Sequence, residues 1–148
     1  MKKMLVFALL FISWTYCNAQ GRKINLPTNC NSFKSCYTLS TETDILRNKI
    51  RYLDGAIHSW KAKDTKQVRA RAFFERAQYL IREAKGETGY KGTEINLKVS
   101  HTKAYKETSF KSAISDLTQA LTEPNSLGDQ EKEAVGLLEK TKELLNKL

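Results

Sequence analysis

The chain has 148 residues, 41% of them hydrophobic and 28% charged, and its 25 Lys and Arg against 16 Asp and Glu give a formal charge of +9. That length fills one ordinary domain with a real core and excludes two. The uncharged run at residues 4–12 holds nine residues, less than half of the roughly 20 that a membrane-spanning helix needs.

Lys2 and Lys3 precede that run, and Cys17-Asn18-Ala19 follows it just before Gln20. A positive start, a short apolar stretch and a small residue before a plausible cut describe a secretory signal peptide over residues 1–19. The expected product is exported, periplasmic or secreted, with 129 residues, 23 basic and 16 acidic side chains. The cut also takes both methionines, Met1 and Met4, and the third cysteine, Cys17.

Residues 20–40 show little periodicity and read as an irregular arm containing Pro27. Within it, Cys30 and Cys36 are expected to form a structural disulfide. A loop that short restricts the unfolded chain by roughly 2–3 kcal/mol on the chain-entropy argument. A redox pair has Cys-x-x-Cys spacing, and a zinc site would need His58 and His101 at spacings unlike the zinc motifs.

Residues 41–148 read as a helical domain with four amphipathic segments. The first starts at Ser40 or Thr41 and places Leu46, Ile50, Leu53, Ile57 and Trp60 on one face. Asp64 is the expected N-cap of the second, with Gln67 completing a capping box. Phe73, Phe74, Ala77, Leu80, Ile81 and Ala84 form its stripe, and Gly86 its left-handed end. Val68, Ala72 and Tyr79 fall on the opposite side and call for cover from the arm or from the following crossover, or else form a partner surface. That crossover, residues 86–101, has Gly86, Gly89 and Gly92 and then Ile95, Leu97 and Val99 in alternation. Thr102 starts the third helix, and Glu123-Pro124-Asn125 ends it. Asn125 or Ser126 is the expected cap of the fourth, whose leucines cover nearly half its circumference. The predicted fold is all-α: a four-helix bundle of two antiparallel hairpins joined by the long crossover, preceded by the disulfide-looped arm.

Two stretches resemble known families. Phe110-x-x-Ala113-Ile114-x-x-Leu117-x-x-Ala120-Leu121-x-x-Pro124 is similar to the second helix of a tetratricopeptide repeat over about 16 residues. Pro124 stands one residue early, and His101 occupies a position where that family has glycine. This resemblance implies a helical adaptor. Two hairpins around a long crossover also resemble the layout of periplasmic four-helix b-type cytochromes, which implies a haem or metal carrier. With no methionine left after the cut, His58 and His101 would have to be its ligands, with Asp54 one turn before His58 as a hydrogen-bond partner.

Catalytic motifs are missing. Neither histidine has a glutamate three residues before it, and there is no His-Glu-x-x-His, P-loop or dinucleotide fingerprint. The expectation is therefore a non-enzyme without a cofactor. Charge is the remaining signal: residues 22–111 hold 19 basic and 9 acidic side chains, and residues 112–148 hold 4 and 7. Arg47, Arg51, Arg69, Arg71, Arg76 and Arg82, on the first two helices, are the candidate ligands for an anionic partner, because guanidinium grips oxyanions through two donors at once. Nucleic acid is not expected, for want of a dense basic groove with aromatic interleaving. The function expected from these features is an exported interaction module for a protein or an anionic surface.

Overall fold

The computed structural model describes residues 29–87, 102–122 and 125–148. These are all-helical: α1 (Phe33–Glu42), α2 (Leu46–Ser59), α3 (Lys66–Ala84), α4 (Lys103–Ala120), a 3₁₀ turn (Gly128–Gln130) and α5 (Glu131–Asn146). The expected leader and most of the crossover, with His101, lie outside the described residues.

Helix α1 is a correction to the arm, which is not irregular beyond Ser32. Ser32 and Ser35 cap each other: the Ser35 N–H donates to Ser32 Oγ (3.2 Å), and the Ser32 N–H donates to Ser35 Oγ (3.1 Å). Two of the orphan donors of a helix start are thus satisfied without Glu or Gln. The predicted Cys30–Cys36 disulfide is formed and ties the second residue before the cap to the first turn. The buried positions are Phe33, Cys36 and Ser40, a helical face whose cysteine and serine hide it from an apolar count.

Ser40 and Thr41 do not start the next helix. Their hydroxyls donate to the carbonyls of Tyr37 (2.6 Å) and Thr38 (2.7 Å) and finish α1. Extended backbone at Thr43 and Ile45 then delays α2 to Leu46. Trp60, expected on a helical face, is the extended residue that ends α2. Asp64 does not cap α3 either: its carboxylate accepts from the Lys61 N–H (2.9 Å) within the turn, and Thr65 precedes the helix.

Other ends agree with expectation. Gly86 sits at φ 95°, its N–H donating to the Glu83 carbonyl and that of Glu87 to the Arg82 carbonyl. These paired bonds close a helix through a left-handed residue that only glycine adopts cheaply. Thr102 caps α4 by accepting from the Tyr105 N–H (3.2 Å). Helix α5 begins later than expected: Asn125 turns the chain at φ 59°, and the 3₁₀ turn intervenes before Glu131.

The buried side chains form two clusters on opposite faces of α3. Phe73, Phe74, Ala77 and Ile81 meet Phe110, Ala113 and Leu117 of α4, with Leu127 and Ala134 beyond. Ala72 joins Phe33, Leu53 and Ala56, with Cys30 and Cys36 of the disulfide and half-buried Tyr79 around them. Burying a phenylalanine such as Phe74 contributes roughly 1.5–3 kcal/mol. Alanines at the α3–α4 contact let the two backbones approach closely. Each helix packs mainly on its neighbours in chain order, α1 on α2, α2 on α3, α3 on α4 and α4 on α5. The described helices thus bury two clusters, one on each side of α3, and a four-helix bundle is not established by them. The cover expected for Ala72 and Tyr79 is supplied by α1 and α2, while Val68 stays exposed.

Candidate functional site

Helix α3 carries polar residues toward both of its neighbours, and these consume much of the predicted basic stripe. Arg76 points inward, its side chain 16% exposed. Its Nε and Nη2 donate to the two Asp116 oxygens of α4 (2.7 and 2.6 Å), and Nη1 meets Asp54 of α2. Burial opposes the charge on Arg76, but the two carboxylates outweigh it and hold the guanidinium above its ordinary value. Asp116 is held above the ordinary aspartate value by the same burial, with Arg76 pulling the other way. As an anion ligand for a partner, Arg76 is therefore a correction: its donors belong to the interior. Asp54, expected beside His58, is taken up in the same network.

Glu83 makes the second link. Its side chain is 6% exposed, yet it accepts from Arg47 Nε of α2 (3.1 Å) and from the Tyr105 hydroxyl of α4. Burial and this bond raise the Tyr105 phenol above its ordinary value. The third link is Glu75, which accepts from Tyr37 OH of α1 (2.6 Å) and from Arg71 Nε (3.1 Å). Desolvation, then the bond to Glu75, raises Tyr37 in the same direction. Arg82 pairs with Glu87 at 2.6 Å, and Arg51, half-buried on α2, is engaged as well. Exposed pairs such as Arg82 with Glu87 add about 0–1 kcal/mol each.

Arg69 differs from the rest of the six. Its guanidinium lies over the Trp60 ring, 4.5 Å from the centroid, and 5.5 Å from that of Phe73. Among the described residues no carboxylate or carbonyl pairs with it, and its Nε is buried without a hydrogen-bond partner. Trp60 is held in turn by its Nε1–H, which donates to the Thr65 carbonyl (3.4 Å). Stacking on an aromatic face stabilises a guanidinium by about 0.5–2 kcal/mol and leaves its edge donors unspent. Around this stack the α2–α3 turn exposes Lys61, Lys63 and Lys66, with His58 one turn back on α2. Sequence reasoning placed Trp60 in the core stripe and Arg69 in a general basic face. Their nine-residue separation carries no local pairing signal, and only the turn at 60–65 brings them together.

Next to this end lies a shallow cleft of about 190 Å³ between Gln67, Val68 and Arg71 of α3 and Ser126, Leu127 and Gln130. It is smaller than the roughly 300–1,000 Å³ of small-molecule sites, and no acid–base pair or activated nucleophile lines it. Among the described residues there is no grouping of His, Cys, Asp and Glu able to hold a metal, and no helix long and apolar enough to cross a membrane. His58 is exposed, and its proposed companion His101 lies outside the described residues. Comparison with protein families, curated proteins and solved structures finds no match to this chain.

Proposed function

We propose that this protein is an exported, non-enzymatic interaction module that binds an acidic partner through the end of the molecule formed by the α2–α3 turn. The observation that carries the reading is the division of the arginines. Arg47, Arg71, Arg76 and Arg82 are committed to carboxylates of this chain, whereas Arg69 is presented on Trp60 beside exposed Lys61 and Lys63. Of these five arginines, the one without a carboxylate partner among the described residues thereby lies at this end.

The test is affinity for poly-L-glutamate as a function of salt. Binding of the full chain is expected at low ionic strength and should weaken steeply toward 1 M salt, where charges are screened beyond ~3 Å. The variant K61E/K63E should lose at least about tenfold, while K132E/K140E, with the same change in net charge on α5, should lose little. Equal losses in the two variants would show that net charge alone is responsible and would dismiss the reading.

A further inference from the structure

Arg69 stands apart from the other five arginines. It lacks an acidic partner among the described residues, and its buried Nε is unsatisfied. Buried donors are satisfied in the great majority of cases, and an exception calls for a ligand, a water or a functional role. Its setting is also built. The Trp60 ring is fixed to the turn by its bond to the Thr65 carbonyl, and Phe73 supports the guanidinium from α3. Such support limits the rotamers open to a flexible side chain and lowers the ordering cost of binding.

We infer that Arg69, stacked on Trp60, is the specific contact for a carboxylate side chain of an acidic polypeptide, with Lys61 and Lys63 supplying the surrounding field. This rests on the function proposed above and narrows it to one residue pair. A planar guanidinium matches a planar carboxylate through two parallel N–H···O bonds. Its aromatic surround suits the methylene stem of a glutamate or aspartate better than a bare tetrahedral anion. The two lysines act at longer range as point charges and give attraction with little geometric demand.

The experiment uses the full chain carrying W14F, so that Trp60 is its only tryptophan. Poly-L-glutamate is titrated in while Trp60 emission is followed, with inorganic polyphosphate as the second probe. We expect saturable change in Trp60 emission with polyglutamate. R69K keeps the charge and removes the fork, and should weaken polyglutamate binding about tenfold, the value of one charge-assisted contact. Its elution from a sulfonate resin and its far-UV circular dichroism should stay as in the parent. W60F, which keeps a ring for Arg69, should retain most of the affinity when measured by calorimetry.

Unchanged polyglutamate affinity in R69K would overturn the role of Arg69 while leaving the cationic end intact. A tenfold loss confined to polyphosphate would overturn the carboxylate assignment. The broader reading fails separately, if K61E/K63E and K132E/K140E bind alike.

Discussion

Removing Arg76 tests the internal network most directly. R76M keeps much of the aliphatic stem but deletes the guanidinium that lies over Phe73 and with it every donor to Asp116 and Asp54. Asp116 has a side chain only 5% exposed and would keep its charge with no counterion. Breaking a buried ion pair from one side costs roughly 3–5 kcal/mol. Asp54 is 39% exposed, so its share is under ~1 kcal/mol. The expected loss at pH 7 is therefore about 3–6 kcal/mol, a large part of the ~5–15 kcal/mol total typical of a domain. It corresponds to a fall of roughly 10 °C in Tm at this chain length. Urea unfolding followed by circular dichroism, with the disulfide intact, measures it.

The pH dependence of that loss gives the sharper check. Burial already raises the Asp116 carboxyl, and without Arg76 the rise is larger. A carboxyl whose folded value is raised contributes stability that is present at low pH and lost as pH rises through that value. The deficit of R76M against wild type should thus shrink as pH falls from 7 toward 5. R76M/D116L, which removes both charges, should recover most of the stability at pH 7. A deficit below ~1 kcal/mol at pH 7, or one that is the same at pH 5, would refute the account of a desolvated Asp116 compensated by Arg76.

Two further outcomes follow from the helical junctions. Replacing Cys30 and Cys36 with serine should cost about 2 kcal/mol in urea unfolding, since it frees a short loop and loosens the start of α1; an unchanged midpoint would show that the capping serines hold α1 alone. Tyr37 is raised above its ordinary value of 10.0, so its stabilising contribution is complete below about pH 10 and is lost as pH rises through the folded value. Y37F should flatten alkaline unfolding above pH 10 relative to wild type, and equal slopes would remove Tyr37 from that transition.

Local rules were legible where the signal is one residue or one face. Thr102 caps α4, Gly86 closes α3, and Phe73, Phe74, Ala77 and Ile81 are the buried stripe that their spacing predicts. The Cys30–Cys36 bridge was legible from spacing together with the oxidising compartment expected from the leader-like start. Hydroxyl residues were the weak point. Ser40, Thr41 and Asp64 have the composition of N-caps, yet Ser40 and Thr41 bond backward to finish α1 and Asp64 bonds within its turn. The same short polar side chains can close a helix, open one or hold a turn, and the choice depends on what the flanking apolar residues pack against.

The sequence by itself determined the all-helical character of the described residues, the disulfide and the positions of the principal apolar stripes, because these depend on period, spacing and local backbone preference. Tertiary structure decided the rest. It placed two core clusters on opposite faces of α3, because Ala72 and the phenylalanine stripe each need cover from a different neighbour. It also separated arginines of identical chemistry into interior and surface roles. Arg76 lies between Asp54 and Asp116, which are 22 and 40 residues away in the chain, whereas Arg69, two turns earlier on the same face of α3, meets the Trp60 and Phe73 rings and no carboxylate among the described residues. A charge has no intrinsic role until the fold supplies its counterion and its dielectric surroundings, and those are set by long-range packing.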